Sequence, residues 1–385
     1  MIGKILRGGL VLAILLGGVA AFNYERINRL LAVTSLFEVD QIVGNFSNMD
    51  AAFLHRPLPR GDGPTSVLPQ GPQMSLPAGF QSWIEDSAIT ALVVLQDGAL
   101  VHESYHLGTT AADRRISWSV AKSYLSALMG VVLAEGAIDS IDDPVTKYAP
   151  ALKGGAYGGA TIKDVLQMSS GVTFDEDYLK FSSDINRMGR VLALGRSMDG
   201  FATDLTETFQ PAGTAWQYVS IDTHIIGMVI RGATGRSIPD LLSEKIIAPM
   251  GLEADPYYLT DGDGTAFVLG GLNLRTRDYA RFGQMYLQGG HYNGQQIVPA
   301  DWVAASTVPS ARTRADQTGY GYQWWIPQGA DSGEYLARGI YGQYIYIHNP
   351  SGTVIAMNSA DRGFRQEGVF ARHVAMFRAI AKGEQ

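Results

Sequence analysis

Apolar and polar positions change their period several times along this chain, and each change marks an element. Two apolar runs, Ile89–Gln96 and Ala99–Tyr105, flank Asp97-Gly98, a dipeptide that tolerates positive φ, so they predict a β-hairpin with a two-residue turn. From Ser119 to Glu135 apolar residues recur at helical spacing and stop at Gly136, which predicts a largely buried helix with Ser119 at its N-terminal end. The middle of the chain mixes short helices and loops, with Ile221–Ile230 and Thr276–Leu287 the most helical stretches. Strands return at Gln343–His348 and Thr353–Asn358, on either side of the turn Asn349-Pro350-Ser351-Gly352, and an amphipathic helix over Gly368–Lys382 closes the chain.

Ahead of the hairpin the pattern differs. Lys4 and Arg7 precede an uncharged apolar run, Gly8 to Phe22, that ends in Val19-Ala20-Ala21. Such a run is an export signal or a membrane anchor, with its positive flank left in the cytoplasm and the rest of the chain across the membrane. Counting Ile5 and Leu6, and the absence of a clean cleavage site before Arg26, Arg29 and the apolar Leu30–Leu36, tips the reading towards an uncleaved anchor. From about 56 to 80, Pro57, Pro59, Pro64, Pro69, Pro72 and Pro77 resist both helix and sheet. The expected division is therefore an anchor or signal over 1–24, a connecting arm over 25–80 and a folded unit over 81–385. The location follows: a bacterial-type cell envelope, with the folded unit membrane-anchored outside the cytoplasm, or secreted or periplasmic if the segment is cleaved.

Composition narrows the function. Of 385 residues 46% are hydrophobic and 17% charged, with 45 Gly spread throughout, which suits a well-packed globular unit with many tight turns. A formal net charge of -7 without a long basic run argues against nucleic acid as a partner. The absence of cysteine excludes disulfides, thiol nucleophiles, Fe–S clusters and thiolate zinc sites. It leaves the redox compartment undetermined, and the sequence as a whole leaves the oligomeric state open.

The central chemical signal is Ser119-Val120-Ala121-Lys122. Residues three apart on a helix are neighbours, so the Lys122 amine can approach the Ser119 hydroxyl. A serine hydroxyl needs a base, and a lysine in a dry site can lose enough pKa to be one. Ser-x-x-Lys alone is a weak motif, since a capping serine with a surface lysine looks the same. Here Lys122 sits among Val120, Ala121, Tyr124, Leu125, Leu128 and Met129, where a charge needs a reason.

Further stretches make the chain resemble the serine hydrolases related to class C β-lactamases and DD-peptidases, and most closely their 6-aminohexanoate-dimer hydrolase and esterase branch. Tyr218-Val219-Ser220, followed by Thr223-His224-Ile225-Ile226-Gly227, resembles the Tyr-x-Asn element and its helix. Asp164-Val165-Leu166-Gln167-Met168-Ser169-Ser170-Gly171 resembles the helix-to-loop segment, and Arg338-Gly339-Ile340-Tyr341-Gly342-Gln343 the strand that replaces Lys-Thr-Gly. The resemblance spans about residues 80–380. It implies an α+β fold of the β-lactamase/transpeptidase type: an antiparallel sheet flanked by terminal helices, with a mainly helical insertion at about 136–315. It also implies that Ser119 is acylated, that Lys122 and Tyr218 share the proton work, with a nearby ammonium favouring the Tyr218 phenoxide, and that the backbone N–H groups of Ser119 and Ile340, on an edge strand, form the oxyanion hole. No metal or organic cofactor is implied.

Where the pattern departs from the family, the substrate changes. Ala337 stands at the Lys-Thr-Gly lysine and Ser220 at the Tyr-x-Asn asparagine, which puts β-lactam hydrolysis in doubt and favours a neutral ester or linear amide. Arg338 either restores an anion contact or points to solvent. Gly339 either lets substrate approach or bends the strand. Asp184, after Ser182-Ser183, either holds a substrate amino group or is a solvated loop carboxylate. The competing functions are a DD-peptidase or β-lactamase acting on peptidoglycan-like substrates, and a non-catalytic envelope binding protein. Two motifs mislead: His102-Glu103-Ser104-Tyr105-His106 has zincin spacing but continues a strand, and Asp261-Gly262-Asp263-Gly264 suits a turn better than a calcium loop. The aromatic pair in Gln323-Trp324-Trp325 fits a pocket wall or the core.

Overall fold

The structure, a computed structural model, describes residues 23–384. The apolar run assigned above to an anchor or signal lies outside them; among the described residues no helix is long and apolar enough to cross a membrane. The central sheet has seven antiparallel strands: β1 (Ile89–Gln96), β2 (Ala99–Tyr105), β3 (Gly319–Tyr320), β4 (Trp325–Ile326), β5 (Glu334–Gly339), β6 (Gln343–His348) and β7 (Thr353–Ser359). Their order is β2-β1-β7-β6-β5-β4-β3, so the N-terminal hairpin and the C-terminal strands meet at the β1–β7 pair. The β1–β2 turn takes positive φ at both Asp97 (51°) and Gly98 (80°), as a tight hairpin turn matching the strand twist requires.

The helices that shape the site are, in chain order, α1 (Tyr24–Ser35), α2 (Ile42–Ser47), α3 (Phe80–Asp86), α4 (Ala121–Ala134), α5 (Asp184–Ala193), α6 (Ser220–Thr234), α7 (Thr276–Leu287) and α8 (Val369–Lys382). Alternation along the strands sends Leu92, Val94, Tyr346 and Ile355 under α3 and α8, and Val93, Leu95, Ile345 and Val354 into the larger core with α4 and α7. Every residue of α4 from Ala121 to Val132 is buried. Gly130 makes that burial possible, since a Cβ there would lie 2.3 Å from the Trp302 ring.

The stretch expected to be a connecting arm is a structural part of the folded unit. Residues 24–52 form α1, α2 and the short helix Met49–Ala52, and Leu36, Ile42, Phe46, Met49 and Phe53 are buried in the core. The proline-rich part does run along the surface, where it bonds to the outer edge of β2 through Leu100 N–H to Pro69 O and Met74 N–H to Val101 O. A second small sheet joins His55–Pro57, Tyr257–Leu259, Leu272–Leu274 and Arg115–Ile116, so the N-terminal helices are tied to the strand that leads into Ser119.

Candidate active site

Ser119 sits in a single 3-10 turn, Trp118–Val120, that runs directly into α4. One turn later Lys122 brings its Nζ 3.2 Å from the Ser119 Oγ, and it also donates to the Leu269 carbonyl at 2.8 Å. Lys122 is buried, and burial brings its pKa down to about 7, against a smaller upward pull from Glu176 and Asp222. A lysine in this state is half neutral near pH 7 and can accept the serine proton.

Tyr218, from the loop before α6, interacts with the Ser119 hydroxyl. Its ring stacks on Trp325 with 5.2 Å between centroids, and the Lys122 Nζ lies 5.5 Å from the ring centre. The phenol does not follow the expectation of a phenoxide. Burial, reinforced by Glu176, raises its pKa, and the interactions with Ser119, Arg338 and Ser220 only partly offset this. At neutral pH it remains a proton donor, and Lys122 is the basic group beside Ser119.

The expected edge strand is not an edge. β5 lies inside the sheet, but β4 pairs with it only through Trp325 and Leu336, so the Ala337–Gly339 end is open to the Ser119 turn. There Gly339 leaves no room for a side chain: a Cβ would come 2.7 Å from Ser117 O and 3.2 Å from Ser119 N. Ile340 and Tyr341 follow along the same wall of the cavity that holds Ser119. Trp118 (φ 41°) and Tyr341 (φ 57°) both adopt backbone conformations that cost about 1–3 kcal/mol for non-glycine residues. Both are clamped by aromatics from the N-terminal helical region, Phe37 stacking on Tyr341 at 4.7 Å and Phe46 meeting Trp118 edge-on at 5.5 Å.

Other expected site residues are distributed less simply. Ser220 lines the cavity but is engaged: its Oγ donates to Glu176 and its N–H reaches the same carboxylate at 3.0 Å. Asp184 is not among the cavity-lining residues; it accepts from the Asp175 N–H and pairs with Arg187, so it fastens the start of α5. Arg338 lies outside the cavity lining too, with its guanidinium 4.1 Å from the Phe370 ring centre. Glu176 escaped the sequence reading because it stands in a loop with no motif around it. It also accepts from the Tyr178 hydroxyl at 2.6 Å, and its charge acts on both Lys122 and Tyr218. Behind it, buried Asp222 accepts from Tyr157 and Ser170, fixing the loop that ends the Asp164–Gly171 segment.

The misleading motifs resolve as structural features. His102 and His106 both bond to Ser104 Oγ at 3.1 Å, and Glu103 pairs with Arg277, an arrangement of a strand and not of a zinc-binding helix. Asp261 accepts from the N–H groups of Asp263, Thr265 and Met198, which makes its segment a turn. Gln323 ties α4, α6 and the Val165–Leu166 backbone together, Trp324 is core, and Trp325 is the partner of Tyr218.

A seven-stranded antiparallel sheet under terminal helices, with Ser119 and Lys122 one helical turn apart at the sheet's margin, defines the β-lactamase/transpeptidase-like class of serine hydrolase fold. The beta-lactamase family pattern matches residues 86–377, and the chain belongs to that family. Over 328 residues it is 29% identical to a 6-aminohexanoate-dimer hydrolase of Paenarthrobacter ureafaciens, covering 82% of this chain and 81% of the relative. Among solved structures, a Bacillus anthracis protein provisionally described as a 6-aminohexanoate-dimer hydrolase superposes with a TM-score of 0.77 at 24% identity, covering 90% of this chain and 95% of that one. A family VIII carboxylesterase gives a TM-score of 0.56 at 14% identity, covering 80% and 99%. The chain is thus similar in sequence to a protein named as a dimer hydrolase and similar in fold to one named as a carboxylesterase.

Proposed function

We propose that the protein is a serine hydrolase that cleaves an ester or a linear amide through a Ser119 acyl-enzyme. The observation that carries this is the contact between Ser119 Oγ and a buried Lys122 whose pKa has fallen to about 7. Neutral Lys122 takes the hydroxyl proton as Oγ bonds to the carbonyl carbon. The oxyanion that forms is received by the N–H groups of Ser119 and Ile340, with the N-terminus of α4 adding a favourable field. Tyr218, held as a phenol, protonates the leaving oxygen or nitrogen as its bond to the acyl carbon breaks, and regains a proton from the Lys122 ammonium. Water then attacks the acyl ester, giving its proton to Lys122, and the acid leaves as Ser119 recovers its hydrogen.

A neutral substrate is favoured over a β-lactam or a peptidoglycan peptide because Ala337, buried in β5, offers no cation where those substrates need one. The apolar N-terminal run supports placing the enzyme at a membrane surface, outside the cytoplasm. The test is hydrolysis of p-nitrophenyl butanoate by wild type and Ser119→Ala. Loss of about 10³-fold or more in kcat/KM, with the circular dichroism spectrum unchanged, is expected. Equal activity in the variant would remove Ser119 from the mechanism.

A further inference from the structure

The cavity that opens on Ser119 has a volume of about 530 Å³, within the range of sites that enclose a whole small ligand. Its walls are apolar well beyond the reacting end: Val33 of α1, Met49, Phe53, Met188 and Leu192 all line it. Among the described residues no carboxylate lines the cavity, and Arg190 is the one charged side chain that does. That guanidinium is occupied at the rim, stacked 4.1 Å from the centre of the Phe181 ring and bonded to the Phe181 carbonyl. Leu179 and Phe181, 87% and 78% exposed, extend the apolar lining out to the surface.

These walls discriminate between substrates. An acyl chain ending in an ammonium, as a 6-aminohexanoyl group does, would leave its charge desolvated and unpaired in this cavity. An uncharged straight chain gains from each methylene it buries. We propose that the cavity is an acyl-chain site, and that the substrates are esters or amides of uncharged acids of medium to long chain. This rests on the serine hydrolase reading of the same site.

Gly189 gives a clean probe, because it lines the cavity from α5 and a Cβ there would meet nothing within 4 Å among the described residues. Replacing it fills open space and removes a helix-weakening glycine. The experiment compares p-nitrophenyl butanoate, hexanoate, octanoate and decanoate, together with the 6-aminohexanoate ester, in wild type and Gly189→Phe. In wild type kcat/KM should rise about fourfold per methylene until the cavity fills, and the aminohexanoate ester should be used at least about tenfold less well than the hexanoate. Gly189→Phe should lower the ratio of kcat/KM on decanoate to kcat/KM on butanoate by at least about tenfold.

A flat or falling series in a Ser119-dependent enzyme, or good use of the aminohexanoate ester, overturns the proposal and leaves the hydrolase reading intact. Should wild type hydrolyse no ester, the hydrolase reading falls, and calorimetry with decanamide decides the site. Binding that Gly189→Phe abolishes keeps the acyl assignment, and absence of binding ends it. Cleavage of didecanoylphosphatidylcholine in vesicles, beside that of the free decanoate ester, identifies a lipid as the source of the chain; cleavage of the free ester alone identifies a soluble acyl ester.

Discussion

The two ends of the cavity are built on different physics. At the reacting end the lining residues Ser119 and Ser220 connect to Lys122, Tyr218 and Glu176 behind them, and what matters there is where each proton sits. At the far end Val33, Met49, Phe53 and Leu192 contribute only shape and dryness, and they come from helices and loops distant from α4 in sequence. The contrast teaches that the chemistry resides in one turn of helix plus one loop, while selectivity depends on residues brought in from 23–53 and from α5, and the aromatic clamp on residues from 23–53. Changes at the first end should act on rate and pH dependence, and changes at the second on packing and chain-length preference.

The largest effect should come from Lys122→Ala, which leaves Ser119 without its base and should lower kcat/KM by about 10³-fold. In wild type, the acid limb of kcat/KM should fall below about pH 7 as Lys122 becomes protonated. The same shift has a stability sign. A lysine at about 7 in the native state and 10.5 unfolded makes the unfolded chain bind more protons between those values, so native stability rises with pH there. The burial penalty is complete below pH 7 and gone above 10.5. Urea unfolding should therefore show the stability difference between Lys122→Met and wild type shrinking by about 1.4 kcal/mol per pH unit across that window. A constant difference would mean that Lys122 is not depressed.

Phe37→Ala tests the other side of the comparison. It removes the ring stacked on Tyr341, and should lower kcat about tenfold by loosening the backbone around Ile340 while the pH profile stays in place. A moved acid limb would show that the clamp and the proton network are one unit. The smallest effect belongs to Glu176→Gln. Removing this charge takes away an upward pull on Lys122, so the acid limb should move to lower pH, by less than about one unit, with activity above pH 8 changed only a few-fold.

How much of this could be read from the chain depended on whether local pattern carried the information. The β1–β2 hairpin, the β6–β7 pair, α4 and α8 all fell where period and turn residues put them, because each is specified by its own sequence. Ser119, Lys122 and Tyr218 could be picked out by their spacing and by likeness to a family, and the structure brings them together. Glu176 could not, since its role comes from Ser220 and Lys122 lying close in space. The helical nature of residues 42–52 was hidden by brevity: α2 spans six residues and Met49–Ala52 four, too few for a helical period to show. The proton assignment of Tyr218 was misjudged because sequence gives no measure of desolvation, and desolvation is the larger influence.

The proline-rich segment has a consequence for solubility. A sheet can recruit further chains at its two margins, where unpaired N–H and C=O groups stand in a row. One margin here is the two-residue strand β3, too short to template another strand. The other would be the seven residues of β2, and the segment around Pro69–Met74 occupies it. Pro69 and Pro72 have no N–H to offer outward, so pairing ends with them. Removing the segment around Pro69–Met74 would expose a full-length strand edge to neighbouring molecules. A segment that reads as a connector thus covers the long edge at which another chain could pair.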